Sequence, residues 1–180
     1  VKYPFVEIKY QIEDPLVKKI YDTCVHTLQC CYHEHYEDCP WREQCLYSMD
    51  SLIQATSGFV CFKNSEQLKS SLKLISQDSR KDHLLSICSP SSSNLTIPSF
   101  SLFYFQTVEL YLKKTNDIEF VKDVYPKLKD VLNVFLSNYE NGLVYTFHKP
   151  FLCHLKCSLY KKKKLLTRHH KEKILLLKFL

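Results

Sequence analysis

The sequence predicts an all-α fold, a row of antiparallel αα-hairpins, and three observations carry that prediction. Only two glycines, Gly58 and Gly142, occur in 180 residues, too few for the many turns of a β architecture. Apolar residues recur at three- and four-residue spacing through several segments before Tyr139. The connectors between most of these segments are short and polar, which sets successive helices antiparallel. At 45% hydrophobic and 13% aromatic, the composition is that of a chain able to bury a core.

Each element follows from local signals. Asp14 supplies an N-cap and Pro15 the first helical position, after which Leu16, Ile20, Cys24 and Leu28 repeat every four residues, a helix of about five turns. The connector "YHEHYED" leads to a second helix expected from Pro40 to Phe62. In "SEQLKSSLKLISQD", Leu68, Leu72 and Ile75 share one face of a third. Residues 82–98, with Ser and Pro clusters and no period, form a long loop of the kind that often carries function. A fourth helix is expected from Ser99 to Lys114. Asp117 caps a fifth, whose Val121, Val124, Leu128, Val131, Leu132 and Phe135 alternate by three and four until Asn141 and Gly142 supply turn chemistry.

Charge excludes one function class. Residues 151–180 hold nine Lys/Arg against Glu172, a net +8 out of the chain's +6, so residues 1–150 carry 16 basic and 18 acidic groups, a net −2. A mildly acidic body gives no support for nucleic-acid binding. No run of 18 apolar residues and no signal-peptide pattern occurs, so no membrane partner is expected. Nine cysteines is an odd count, and Cys30, Cys31, Cys39 and Cys45 fall in runs that read as helical; free, mostly buried thiols in a reducing, cytoplasmic compartment are expected. The chain begins at Val1 and its sole methionine is Met49, which reads as a fragment.

The densest chemistry lies in "HYEDCPWREQCLYSMD", where Glu37, Asp38, Glu43 and Asp50 surround the only tryptophan. On a helix at about 100° per residue with Glu43 at zero, Tyr47 falls near +40°, Asp50 near −20° and Gln54 near +20°. Trp41, Cys45, Leu52, Thr56 and Phe59 fall on the opposite side. This geometry sets a stripe of carboxylates, a phenol and an amide against an apolar stripe. A solvated helix face is the ordinary explanation of such a pattern. Three features weigh against it: Tyr and Gln are mixed with the acids, no basic residue lies at i,i+4, and Asp38 adds a third acid, although Asp38 could serve only as a helix cap. Clustered carboxylates suit glycoside hydrolysis, in which one acts as a proton donor and others grip sugar hydroxyls. Crowding by Asp38 and Asp50 is expected to favour the protonated form of Glu43. Arg42 is expected to anchor one of the acids.

These residues resemble the signature of the α-L-rhamnosidases among six-hairpin (α/α) glycosidases, commonly D-C-P-x-R-E-R-x-G-x-x-G-D. The block "HEHYEDCPWREQ", "TIPSFS" at Thr96 to Ser101 and "ENGLV" at Glu140 to Val144 agree with it. The resemblance covers about residues 1–150. It implies a partial (α/α)6 toroid, an inverting mechanism, and a terminal α-L-rhamnose of an oligosaccharide or glycoside as substrate, with no cofactor and no metal. By position, Glu43 matches the general acid, and Asp38 and Asp50 match sugar-binding carboxylates; Arg42 and Tyr47 complete the expected substrate-binding set. Gln44 stands for an arginine, Leu46 and Met49 for glycines, Tyr47 for a tryptophan, and His83 at a position that reads as glycine. The family's general base is a glutamate beyond this sequence, so the chain by itself is expected to be inactive.

Rival readings are weaker. Cys30, Cys31, His33, His35, Cys39 and Cys45 offer zinc-type ligands, but their spacing is not that of paired structural zinc motifs. A Cys/His nucleophile lacks a recognisable orienting residue. Asn94-Leu95-Thr96 fits a glycosylation acceptor without an accompanying signal peptide. A non-catalytic helical-hairpin interaction or carbohydrate-binding protein is the alternative from another class.

Residues 151–180 stand apart from the fold. Their four-lysine run, paired histidines and "ILLLKFL" show no capping and no sustained period. A basic amphipathic membrane helix is one reading. We favour translation out of frame, since A/T-rich DNA misread gives Lys-, Leu- and Phe-rich runs. Sequencing the locus is expected to reveal the family's continuing residues in another frame. A single expressed frame running uninterrupted to Leu180 rules this out.

Overall fold

In the computed structural model, residues 5–63, 65–140 and 143–144 are described. Five helices are followed by a short ladder: α1 (Pro15–Cys30), α2 (Ser48–Cys61), α3 (Glu66–Ser76), α4 (Pro98–Thr115), α5 (Ile118–Ser137), β1 (Tyr139–Glu140) and β2 (Leu143–Val144). Val1–Ser137 forms one compact unit and Asn138–Leu180 a second. In the second, β1 and β2 pair antiparallel with Tyr139 opposite Val144. The expected turn residues Asn141 and Gly142, and the basic tail, lie outside the described residues. Among those described, no helix is long and apolar enough to cross a membrane.

The caps form where the sequence places them. Asp14 Oδ1 accepts from the backbone N–H groups of Leu16 (2.8 Å) and Val17 (3.0 Å), satisfying two donors that α1 leaves unpaired. Asp117 Oδ1 accepts from Phe120 N at 3.1 Å, and its other oxygen takes Lys69 Nζ at 2.7 Å and the Tyr111 hydroxyl at 2.9 Å. One carboxylate therefore starts α5 and ties it to α3 and α4.

The core runs through α2, α3, α4 and α5. Leu68, Leu72 and Ile75 of α3 meet Tyr104 and Val108 of α4 and Val121, Val124, Leu128 and Val131 of α5. The hydroxyl of the fully buried Tyr104 donates to the Leu72 carbonyl at 3.0 Å, so the largest core side chain has its polar end satisfied. α5 continues through Pro126, where burial of Val124 and Leu128 on either side overrides the missing backbone donor. Small residues are buried on both helices that pack closely, α2 and α4: Ser48, Ser51, Ala55 and Gly58 on α2, Ser101 and Thr107 on α4. Ser48 Oγ of α2 donates to the Phe100 carbonyl of α4 at 2.7 Å.

Four expectations are corrected. α2 starts at Ser48, not Pro40. Residues 40–43 make a turn, and Gln44, at φ 52°, takes a left-handed conformation that stops helix propagation. The buried side chain of Leu46 then fixes an extended approach to the helix. Because Trp41 is off the helix, it is 89% exposed instead of lining an apolar stripe. Cys39 and Cys45 are not helical, and of the seven described free thiols only Cys31 and Cys61 are buried. Finally, α1 buries Val25, while Leu16 and Ile20 remain 66% and 57% exposed: the four-residue repeat marked a helix, but not a covered face.

Two measurements check this packing. A Cβ at Gly58 would lie 2.7 Å from the hydroxyl of buried Tyr32, which donates to the Gln54 carbonyl at 3.1 Å. Gly58→Ala is expected to lower stability by about 1–2 kcal/mol in urea unfolding, overpacking exceeding the gain in helix propensity. The Lys69 ammonium, followed by the Phe120 and Tyr111 donors, pulls the Asp117 carboxyl down from 3.8 to about 2. A depressed carboxyl contributes its stability above its unfolded pKa and loses it as pH falls through the folded one. The urea midpoint of wild type over Asp117→Asn is therefore expected to shrink between about pH 4 and pH 2, the window set by those two values.

Candidate active site

The carboxylate motif occupies a loop closed at its base. Asp38 N–H donates to the Cys45 carbonyl at 3.0 Å, and Cys45 N–H donates back to Asp38 Oδ1 at 2.9 Å. Residues 39–44 bulge out from this reciprocal pair, with Gln44 Nε2 donating to the Pro40 carbonyl at 3.2 Å to close the turn. Asp38 thus has one carboxylate oxygen occupied by backbone.

Glu43 sits on the bulge with both oxygens held. Arg42 Nη2 donates to Oε1 at 2.9 Å and the Tyr47 hydroxyl to Oε2 at 2.6 Å. Tyr47 is the residue before α2, extended at φ −93° and ψ 135°, and its ring meets Phe100 edge-on at 6.2 Å. The hydrogen bond to Glu43, then burial, raises the Tyr47 phenol above its usual 10. The pairing of Glu43 with Tyr47 expected from a helical wheel is real, but a loop, not a helix, produces it. Arg42 does anchor an acid, and its side chain is also 81% exposed.

Asp50 lies half-buried in the first turn of α2, where the helix dipole favours a negative charge. Burial first, with added repulsion from Asp38 and Glu43, raises its carboxyl above the usual range. Asp38 and Glu43 therefore both act on Asp50 at the start of α2.

Two neighbours of the motif turn inward. Glu37 is buried, with Oε1 2.8 Å from His33 Nδ1 and its backbone carbonyl accepting from Gln54 Nε2. Gln54, expected on the same open stripe as Glu43, is a buried strut between α2 and the loop. The sequence signal was its position one turn after Asp50, which fits either role. Phe100 and Ser101 also escaped notice as site supports. Ser101 Oγ accepts from Leu85 N at 3.0 Å, and Thr96 Oγ1 donates to the Leu85 carbonyl at 2.6 Å. The "TIPSFS" segment is therefore the brace that fixes residues 84–86 beside Phe100. His83, read at a glycine position, adopts φ 60°, the left-handed conformation glycine takes most readily.

The acids are not enclosed. Hollows occur elsewhere among the described residues, one around Phe5, Tyr32, Tyr36 and Phe62, another along Pro15, Lys18, Asp22 and His26 of α1. The side chain of Glu43 is 37% exposed. The Cys/His residues of the motif disperse: His33 turns to Glu37, His35 Nδ1 to the Tyr36 carbonyl at 2.9 Å, and Cys30 to His26. Among the described residues no three His, Cys, Asp or Glu side chains are grouped to hold a metal.

Comparison with known proteins agrees with this architecture. Residues 9–152 match the family described as the bacterial alpha-L-rhamnosidase 6 hairpin glycosidase domain. No curated protein matches. Two solved structures share the fold. A rhamnosidase from Klebsiella oxytoca with rhamnose bound has TM-score 0.70 and 23% identity over 79% of this chain and 29% of its own. A GH78 family rhamnosidase of Bacillus sp. GL1 has TM-score 0.75 and 23% identity over 84% of this chain and 16% of its own. The chain thus spans less than a third of either. A family match over most of the sequence, on a partial row of hairpins carrying the acidic loop, makes this chain a member of the bacterial α-L-rhamnosidase six-hairpin glycosidase family.

Proposed function

We propose that this chain is the acid-bearing part of an inverting glycoside hydrolase that removes terminal α-L-rhamnose from an oligosaccharide or glycoside. The observation that carries the reading is the loop pinned by Asp38, which sets Glu43 outward between two donors with Asp50 behind it. Glu43 gives a proton to the glycosidic oxygen as the bond to the leaving group breaks. The second oxygen of Asp38 and the Asp50 carboxyl accept from ring hydroxyls. Arg42 and Tyr47 hold Glu43 in one orientation, so their contribution to sugar binding runs through the acid. Inversion needs a second carboxylate about 6.5–9.5 Å away, across the sugar ring, to activate water. Asp38 and Asp50 flank the acid on the same arm of the chain, and we assign the base to a part of the toroid beyond these residues. On this reading the 180-residue chain alone gives no turnover. The reducing compartment expected from the cysteines makes the cytoplasm its place of action.

One observation favours a second assignment. Burial raises the Asp50 carboxyl, as a proton donor requires, while two donors converge on Glu43. The two assignments separate in a longer protein that completes the toroid, assayed on an aryl α-L-rhamnoside. Glu43→Gln is expected to lower kcat about 10²- to 10⁴-fold, the usual worth of a general acid, with a smaller loss for activated aryl leaving groups. Asp50→Asn is expected to act mainly on KM. Unchanged kcat in Glu43→Gln, with the leaving-group dependence appearing in Asp50→Asn instead, moves the acid role to Asp50.

A further inference from the structure

The acidic loop touches the long loop before α4 through a pair of thiols that glycoside chemistry does not use. Ser89 N–H donates to the Leu46 carbonyl at 3.1 Å, so the segments carrying Cys88 and Cys45 run side by side. Their thiols lie within hydrogen-bonding reach of each other, and both side chains are partly exposed to solvent. The other described cysteines are placed differently. Cys31 and Cys61 are buried, Cys30 faces His26 at 3.7 Å, Cys24 is exposed, and Cys39 is partly exposed on the bulge. Thiols on neighbouring segments joined by a backbone hydrogen bond need side-chain rotation, not unfolding, to bring their sulfurs to the bonded distance of about 2 Å.

We infer that Cys45 and Cys88 form an oxidisable pair, a modification site at which hydrogen peroxide links the carboxylate loop covalently to the loop before α4. One thiolate sulfur attacks a peroxide oxygen, the O–O bond breaks, and hydroxide leaves a sulfenic acid behind. The second sulfur attacks that sulfur, the S–O bond breaks, and water leaves. Two thiols lose two protons and two electrons, and one peroxide becomes two waters. Burial, with the neighbouring Cys88 second, raises the Cys45 thiol from 9.0 to about 11, so closure quickens as pH rises toward that value.

The bond acts on the site directly. The Cys45 thiol donates to the Glu43 carbonyl at 3.2 Å, and a disulfide has no hydrogen left for that contact. The residue that clamps Asp38 through its backbone becomes fixed to Cys88. Oxidation therefore changes the support of Asp38 and Glu43 without consuming either carboxylate. The inference does not depend on the sugar reading.

The test uses the full chain, folded and reduced, exposed to hydrogen peroxide, quenched with iodoacetamide and digested without reductant. A Cys45–Cys88 cross-linked peptide is expected, enriched about ten-fold or more over other pairings because proximity raises the effective concentration. Dithiothreitol removes it, Cys88→Ser abolishes it, and Cys24→Ser leaves it in place. Recovery of both cysteines fully alkylated overturns the inference. Equal yield of the same cross-link from urea-unfolded chain overturns it as well, because native geometry would then play no part.

Discussion

Everything at the acidic loop depends on the reciprocal pair between Asp38 and Cys45. Two backbone-anchored hydrogen bonds at 2.9 and 3.0 Å hold the ends of a bulge together, and one of them uses the Asp38 carboxylate. Without that closure, Pro40 to Glu43 has every local reason to be the first turn of a helix: proline at its start, then residues that favour the helical state. The clamp, together with the buried Leu46, overrides this preference and turns Glu43 out of the α2 register. A loop is thereby given the fixed geometry that catalytic groups ordinarily take from regular elements.

This explains which parts of the molecule were legible. The caps Asp14 and Asp117 could be read because an N-cap is a local interaction, complete within four residues. The α5 stripe could be read because its apolar spacing and its burial coincide. The helical placement of Glu43 fails because the link from Asp38 to Cys45 has no sequence signature beyond the two residue types. Gln54 was placed on the open face because an amide between acids looks polar, whereas its partner is a backbone carbonyl 17 positions earlier. The exposure of Leu16 and Ile20 was invisible for a different reason: periodicity reports an amphipathic helix but not what lies against it.

The family motif and the physical reading meet at the supports more than at the acids. "TIPSFS" could have been a run of loop residues joined to a helix. Instead Thr96 and Ser101 both engage Leu85, and Phe100 backs Tyr47 while its carbonyl receives Ser48. Tyr47, in place of the tryptophan common at that position, brings a hydroxyl that reaches Glu43, which an indole nitrogen would meet with different reach. The departure from the common signature is therefore chemically consequential at the acid itself.

The outward face of α1 carries a consequence for handling the molecule. Leu16, Val17 and Ile20 meet water beside Lys18 and Lys19, whose charges keep neighbouring molecules apart at low ionic strength. Salt that screens those ammonium groups removes the repulsion and strengthens the oily contact together. Salt thus strengthens self-contact through this face of α1, as it does through the other exposed apolar side chains, Trp41 first among them at 89%.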